Sequence, residues 1–323
     1  PYLDNSQKIR SFALVMISGT FPLLITGFGQ YFLGWTGPFK SLDGLVVWYL
    51  KPLYGGGLSG LFSNQNYAAS WLNFIWPLCI ALVFEKLNNI IKKSISITFF
   101  LSIGIAAFLT YSRSSIGGLF LVIPIVIGQE SLVWIIPIIL FLFLIIILSI
   151  TPIISLELQA FIQNLIPSKF FYQFSQESFQ SLDITRKEIW ASAISIMRLR
   201  PWFGIGSGAF TAIFLLEKNL YKGHSHNLIT ELAISYGIPV SLIFMSNIAL
   251  LLIFSAKIIF FQTKNSGNIN YYERAFWASI FFFALSQTVD IQYFDGRIST
   301  LSWLLIALIR NIIAEDRELK SSK

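Results

Sequence analysis

The sequence predicts an all-α, polytopic integral membrane protein, a helical bundle of about eight spans with a long helical outer loop. Of its 323 residues, 55% are hydrophobic and only 12% are charged, whereas a water-soluble domain carries about 25% charged residues. The mean hydropathy is +0.68. Aromatic residues make up 16% of the chain, with 31 Phe and 9 Trp, which is typical of proteins that contact lipid and its interfacial layers.

Eight apolar segments are long enough, or nearly so, to cross a hydrocarbon layer about 30 Å thick. The fourth is short and follows closely on the third, and the sixth is long enough to begin as a helix outside the membrane. We expect the whole chain, residues 1–323, to form a single membrane domain. The predicted spans are residues 11–33, 67–84, 95–111, 114–128, 133–150, 228–261, 275–293 and 298–313.

The distribution of basic residues predicts that both termini face the inner side of the membrane. With that orientation, 12 basic residues fall in inner segments and 4 in short outer connections, as the positive-inside rule favours. The placement of basic residues on the inner side of the membrane therefore accounts for the net charge of +7, and no nucleic-acid partner is expected. The only cysteine, Cys79, lies in an apolar run, so it is expected to be buried and cannot form an intrachain disulfide.

Two outer loops follow from this topology, at residues 34–66 and 151–227. The second contains apolar residues at helical spacing between Asp183 and Leu199, with Asp183 as the expected N-cap. We expect this segment to be an amphipathic helix that lies on the outer membrane face. A glycine run then turns the chain at 204–208. It is not a phosphate-binding P-loop, because it follows a helix and lacks the required lysine.

Both histidines, His224 and His226, lie where the second outer loop meets the sixth apolar segment. A histidine here is a proton acceptor near neutral pH, which favours a membrane enzyme that acts on a lipid-linked substrate. Asn227 or Glu231 would set the tautomer of that base. Solvated loop histidines are the alternative. A zinc site needs a third ligand, and no spacing identifies one, so no metal is predicted.

Three arginines lie on the same predicted side as the histidines: Arg113, Arg186 and Arg297. An arginine near the membrane is energetically unfavourable unless its charge is paired or serves a function. Its planar guanidinium can bind two phosphate oxygens at once. These arginines therefore indicate a site for a pyrophosphate or sugar phosphate, with contacts to lipid headgroups as the alternative. Arg297 ranks below the other two because Asp290 and Asp295 are nearby partners in the sequence.

Several short motifs follow one another along the chain: Gly60-Leu-Phe-Ser-Asn64-Gln-Asn66-Tyr, Tyr111-Ser-Arg113, Arg186-x-x-x-Trp190, Pro201-Trp-Phe-Gly204-Ile-Gly206-Ser-Gly208-x-Phe210, His224-x-His226-Asn227, Glu231 and Gly237. In combination they resemble the O-antigen ligase/polymerase superfamily, whose members are bacterial integral membrane proteins that handle undecaprenyl-linked glycans. The resemblance covers most of the chain from about residue 34. Family members usually have about a dozen spans, so N-terminal spans are expected to be missing from this chain, which starts at Pro1.

The resemblance implies transfer of a glycan from a polyprenyl diphosphate carrier to a hydroxyl acceptor such as lipid A–core. This transfer would occur on the periplasmic face of the bacterial inner membrane, so loop 151–227 would be periplasmic. By position, His226 would be the catalytic base, and Arg113 and Arg186 would bind the diphosphate. His224, Asn227, Glu231 and Arg297 would contribute to substrate binding. Because the arginines serve the electrostatic role, no metal or other cofactor is implied.

Two further interpretations stay open at this stage. The family includes polymerases, which extend a glycan chain, and relatives that modify protein hydroxyls. Some cyanobacterial relatives have been described as bicarbonate transporters, and residues 35–45 look like those sequences. Transporters usually place their functional polar residues near the bilayer midplane, in repeated halves. Here the ionisable residues cluster at the outer ends of the spans, which favours the glycosyltransferase.

Overall fold

The computed structural model describes residues 6–48, 56–151, 153–165, 185–262 and 270–321, and within them it confirms a helical membrane bundle. These ranges contain thirteen α-helices and one short β-hairpin. Parts of both predicted outer loops, at 49–55 and 166–184, lie outside the described residues. The chain divides into two compact units. The N-terminal unit contains Asn5–Ser181 and Asn270–Ser279, and the C-terminal unit contains Leu182–Ile269 and Ile280–Lys323.

The N-terminal unit is built around the buried helix α3. Its helices are α1 (Ser6–Gly19), α2 (Phe21–Leu33), α3 (Gln65–Phe84), α4 (Ile90–Leu109), α5 (Arg113–Val126), α6 (Leu132–Ile150) and α7 (Leu156–Leu165), and the hairpin pairs β1 (Phe39–Ser41) with β2 (Val46–Trp48). Helix α3 packs against both α4 and α5. Asn73 on α3 binds the Ser115 hydroxyl at 2.7 Å, so a buried polar side chain joins α3 to α5.

Asparagine caps define where the two longest helices of this unit begin. The side chain of Asn64 accepts a hydrogen bond from the backbone N–H of Asn66 at 2.8 Å, and that of Asn89 accepts one from Ile91 at 2.8 Å. Each satisfies a backbone donor that the first helical turn leaves without an intrahelical partner.

The C-terminal unit contains α8 (Arg186–Leu199), α9 (Ala209–Lys218), α10 (Leu228–Tyr236), α11 (Ile238–Ala256) and α13 (Gly296–Ser321). Helix α11 continues as a wider π-helical turn through Lys257–Gln262. Between α11 and α13, α12 (Tyr271–Ser286) begins in the N-terminal unit and ends in the C-terminal one.

Six helices of the described chain, not eight, are long and apolar enough to cross a membrane: Gln7–Leu33, Gln65–Phe84, Ile90–Leu109, Gln129–Ser149, Ile238–Phe261 and Gly296–Glu318. Two predicted spans are shorter helices. With 14 residues, α5 is about 21 Å long at 1.5 Å per residue. The predicted span 275–293 corresponds to α12, which ends at Ser286. The predicted span 228–261 divides at Gly237, so its first part is indeed a separate helix.

The apolar stripe of α8 packs against protein, so the expectation that α8 lies on the membrane by this stripe was wrong. Ile189, Ala193 and Ile196 form a buried cluster with Phe210 and Phe214 of α9 and Ile234 of α10. The helix begins after Thr185, whose side chain and that of Glu188 form a capping box. The predicted cap, Asp183, lies outside the described residues. A stripe at helical spacing indicates a buried face but does not identify what covers it.

The glycine run brings the chain after α8 into backbone contact with the junction of α10 and α11. The N–H of Ile238 donates to the carbonyl of Pro201 at 2.7 Å, and that of Ile205 donates to Ile234 at 2.7 Å. Gly237 has a φ of +92°, and a Cβ there would lie 2.2 Å from the Trp202 carbonyl oxygen. A side chain at this position would therefore separate the two segments.

We expect Gly237→Ala to lower the stability of the C-terminal unit, because alanine is strained at this φ and its Cβ overlaps Trp202. The expected loss is roughly 1–3 kcal/mol, measured as a lower Tm of the purified protein in detergent. Gly223→Ala is the control, since nothing lies within 4 Å of a Cβ added at Gly223. Equal Tm values for the two variants would show that the close contact does not stabilise the fold.

Candidate functional site

The candidate site is formed by two loops of the C-terminal unit, one before α10 and one between α12 and α13. Hydrogen bonds join the two loops directly. The N–H of Leu228 donates to the carbonyl of Gln287 at 2.9 Å, and the Asn227 side-chain amide donates to the carbonyl of Thr288 at 2.9 Å. Asn227 also caps α10 by accepting from Ile229 and Thr230. One asparagine therefore fixes the start of α10 and holds the second loop against it.

Gln287 shapes the second loop from within. Its side-chain oxygen accepts hydrogen bonds from the backbone N–H groups of Gln292 at 3.0 Å and Tyr293 at 3.1 Å, and its amide nitrogen donates to the Gln292 side chain. Both glutamine side chains are buried. Because these bonds close the loop between residues 287 and 293, they fix the position of Asp290 within it.

Asp290 contacts the ring of His226, with 2.7 Å between its Oδ1 and the histidine Nδ1. The two side chains are 12% and 26% exposed. Burial raises the pKa of Asp290, but the hydrogen bond from His226 and the electrostatic influence of His226, His224 and Arg186 outweigh it, so the pKa lies below its usual value. Asp290 is therefore a carboxylate at neutral pH. It accepts the Nδ1–H of His226 and leaves Nε2 with a free lone pair.

His224 is held as a neutral ring beside His226. The backbone N–H of His226 donates to the Nδ1 of His224 at 3.2 Å, so His224 carries its proton on Nε2. The ring centroids are 4.5 Å apart in an edge-to-face arrangement. Burial, with further contributions from the charges of His226 and Arg186, lowers the pKa of His224 to about 4. At neutral pH, His224 is consequently a hydrogen-bond donor without charge.

The backbone at His226 adopts a left-handed conformation with a φ of +57°, which is uncommon for a residue other than glycine. The residue before it is firmly held, because the N–H of Ser225 donates to the Glu231 carboxylate at 2.8 Å. Burial raises the pKa of Glu231, and the hydrogen bonds from Ser225 counteract this partly. Such a conformation persists only where surrounding contacts determine it. Asn227 and Glu231 thus shape the loop, while Asp290 contacts the ring of His226.

The three arginines predicted to form part of a site have different surroundings. Arg186 is the first residue of α8, and its charge lowers the pKa of both His224 and Asp290, which places it near the cluster. Arg297 pairs with Asp295, at 2.7 Å between Nη2 and Oδ2. Arg113 belongs to the N-terminal unit, where it is exposed at the start of α5. Glu188 is engaged in the cap of α8 by its bonds to Thr185.

His224, His226 and Asp290 also form a group that could hold a metal ion, because their ligand atoms all lie within 4.8 Å of one another. Three protein ligands with an open fourth position are the pattern of catalytic zinc. Asp290 would be the third ligand, which the sequence spacing did not identify because Asp290 lies 64 residues from His226. An ion bound there would replace the hydrogen bond between Asp290 and His226.

Comparison with family profiles matches residues 97–245 to the O-antigen ligase family. These residues, a little under half of the chain, are similar to the O-antigen ligase family. The match confirms the predicted superfamily and supports an O-antigen ligase- or polymerase-type function in processing glycans at the membrane. It includes Arg113, Arg186 and both histidines, whereas Asp290 and Arg297 lie beyond it. A search of curated proteins found no match.

The lowered pKa of His224 predicts a pH-dependent stability. The unfolded chain binds a proton on this histidine below pH 6.5, while the folded chain does so only near pH 4. The contribution of the neutral ring is present above pH 6.5 and is lost as the pH falls towards 4. We expect the Tm to fall more steeply between pH 6.5 and 4.5 in the native protein than in His224→Gln. Parallel curves would contradict this prediction.

Proposed function

We propose that the protein is an O-antigen ligase-like glycosyltransferase that transfers a glycan from a polyprenyl diphosphate to a hydroxyl acceptor. The proposed reaction takes place on the periplasmic face of the bacterial inner membrane, and it needs no metal. The contact between His226 and Asp290 carries this proposal, because a histidine with its Nδ1–H bound to a carboxylate is a base with a defined orientation. The family match supports a glycan as the substrate.

In the proposed reaction, His226 Nε2 removes the proton from the acceptor hydroxyl as that oxygen attacks the anomeric carbon of the glycan. A new carbon–oxygen bond forms while the bond from the anomeric carbon to the diphosphate oxygen breaks, and the leaving diphosphate keeps the electron pair. His226 becomes an imidazolium, which the Asp290 carboxylate stabilises. His226 then releases the proton to solvent or to the diphosphate.

Arg186, near the histidines, is a proposed ligand of the diphosphate, and the family resemblance gives Arg113 the same proposed role. Each is the first residue of a helix, after Ser112 in α5 and after Thr185 in α8. A helix N-terminus favours anions through its unpaired N–H groups and its dipole, and a guanidinium adds a full charge with two parallel donors. Charge that builds on the leaving diphosphate would be stabilised by both effects.

The remaining predicted residues have supporting roles in the proposal. His224 offers a neutral Nε2–H to a sugar or acceptor oxygen. Asn227 and Glu231 position the histidine loop through the hydrogen bonds described above. Arg297 is half-exposed beside Asp295 and would contact the acceptor or a charged sugar. Transfer to lipid A–core and transfer to a growing glycan chain both fit this chemistry.

The function is tested by reconstituting the full chain with an undecaprenyl diphosphate-linked glycan and either lipid A–core or a second lipid-linked glycan. We expect His226→Ala to lower kcat by roughly 10²–10⁴-fold, as for loss of a general base. Asp290→Asn should also lower kcat, since a neutral amide cannot stabilise the imidazolium. Glu217→Gln is the matched control, because Glu217 is an exposed carboxylate on α9.

Full transfer by folded His226→Ala would remove this histidine from the mechanism. The acceptor that is consumed distinguishes ligase from polymerase. Treatment with a chelator tests separately whether the cluster of His224, His226 and Asp290 holds a metal ion. If EDTA abolishes transfer and zinc restores it, the cluster is a metal centre and the proposed metal-free base is wrong.

The proposed periplasmic face is tested by cysteine labelling in intact cells whose outer membrane has been made permeable. Gly223 is exposed and adjoins His224, so we expect Gly223→Cys to react with a membrane-impermeant maleimide. Asn88→Cys, exposed in the connection between α3 and α4, should react only after the inner membrane is opened. The native Cys79 is buried and should stay unlabelled. The reverse labelling pattern would place the candidate site in the cytoplasm.

A further inference from the structure

An exposed group of apolar and basic side chains lies at the end of α8 and directly after it, in the C-terminal unit. Trp202 and Phe203 are 71% and 89% exposed, and Leu199 is exposed as well. Arg198 and Arg200 alternate with these residues and are also exposed. The apolar stripe of α8 that packs on α9 and α10 includes none of these side chains. We refer to residues 198–203 as the post-α8 segment.

The backbone places the post-α8 segment beside the start of a candidate membrane span. The carbonyl of Pro201 accepts the N–H of Ile238 at 2.7 Å, and Ile238 is the first residue of the span Ile238–Phe261. Next in the chain, a Cβ added at Gly204 would lie 2.5 Å from the backbone of Ser235. The segment is therefore in direct contact with the point at which the chain enters the membrane.

The length of this span puts its first residue in the interfacial layer of the bilayer. The span has 24 residues, or about 36 Å at 1.5 Å per residue, and the hydrocarbon core is about 30 Å thick. An upright helix thus extends about 3 Å beyond the core at each end, within a headgroup layer of about 5–7 Å on each side. A tilted helix begins closer to the core. In both cases the post-α8 segment lies at the depth of the lipid headgroups.

The exposed apolar surface continues from this segment onto α11. Tyr236, the last residue of α10, is exposed, and so are Val240 and Ile243 in the first turns of α11. Trp and Tyr are enriched at membrane interfaces, because their rings are apolar at one end and polar at the other. With Trp202 and Phe203, three exposed aromatic residues adjoin the start of one span, as in an interfacial aromatic belt.

The two arginines of the segment indicate which lipid it meets. Within the described part of the chain, neither Arg198 nor Arg200 forms an ion pair with an acidic side chain. A guanidinium can bind two phosphate oxygens at once, and its long stem allows the charge to stay in the headgroup layer while the apolar part contacts the core. Two such charges at one depth favour an anionic phospholipid over a zwitterionic one.

We propose that the post-α8 segment is an interfacial anchor that inserts Trp202 and Phe203 among the lipid headgroups and binds an anionic phospholipid through Arg198 and Arg200. The occupant of this surface is thus the bilayer in which the protein lies. The proposal does not depend on the glycosyl transfer proposed above, because it rests on the exposure, charge and position of the segment alone.

The anchor has a structural role for the candidate site. It holds the junction of α10 and α11 at the interface, because Pro201 is hydrogen-bonded to Ile238. Helix α10 leads from the histidine loop to this junction and has 9 residues, a length of about 13 Å. A fixed depth at one end of this short helix therefore determines how far from the hydrocarbon core its other end, with the histidine loop, is held.

The depth of the segment can be measured by electron paramagnetic resonance on the full chain in nanodiscs, with a spin label at Phe203→Cys. Phe203 is almost fully exposed, so its replacement leaves the core intact, and the native Cys79 is buried. Gly223→Cys is the control, because Gly223 is exposed on the far side of α10. We expect the ratio of collisions with oxygen to collisions with a water-soluble nickel chelate to be roughly threefold higher at residue 203.

A change of bilayer composition tests the lipid. The label at residue 203 should be immersed more deeply in phosphatidylglycerol than in phosphatidylcholine, and Arg198→Gln/Arg200→Gln should abolish this difference. Lys92→Gln/Lys93→Gln is the matched control, since both lysines are exposed at the start of α4, and it should keep the difference.

Three results would contradict the proposal. Equal nickel access at residues 203 and 223 would show that the segment lies in water. A label shielded from both reagents would show that protein covers the segment, either a second copy of the chain or another partner. Equal immersion in the two lipids would overturn the site for an anionic phospholipid. Each result is obtained without an assay of glycan transfer, so failure of the proposed function would leave this test unaffected.

Discussion

The close backbone contact between residues 201–205 and the junction of α10 and α11 is the constraint on which the C-terminal unit depends. At Gly204 and Gly237 the two segments approach within a distance that no Cβ would allow. The hydrogen bonds across this contact join the loop helices α8 and α9 to the first residue of a candidate membrane span. Since α10 ends at this junction and the histidine loop precedes α10, the same contact supports the loop that carries His224 and His226.

Next to this contact, hydrogen bonds give the two neighbouring imidazoles different partners. His226 faces a carboxylate that is ionised in spite of its burial, while His224 accepts a backbone N–H and has a strongly lowered pKa. Two histidines with the same sequence context therefore have distinct chemistry: one is suited to accept a proton and the other to donate a neutral hydrogen bond. The positive charge of Arg186 also lowers the pKa of His224, because it disfavours protonation of this imidazole.

Composition and periodicity were sufficient to predict the helical membrane class, the separate helix before Gly237 and the apolar stripe of α8. They did not identify the partner of His226, because Asp290 lies 64 residues away and only the folded loops bring the two residues together. The stripe of α8 was assigned to lipid although it packs on α9 and α10, since periodicity does not distinguish lipid from protein. The start of α8 could have been predicted from the sequence, because Thr185 and Glu188 have the spacing of a capping box.

The direct join between α10 and α11 also connects the candidate site to the physical state of the bilayer. The span that begins at Ile238 covers 24 residues, or about 36 Å at 1.5 Å per residue, which exceeds a hydrocarbon thickness of about 30 Å. A helix of this length adjusts to a thinner membrane by tilting. Its first residue is hydrogen-bonded to Pro201, and only Gly237 separates it from α10. Tilting of this helix would therefore shift the base of the histidine loop, so that the geometry of the candidate site would depend on membrane thickness.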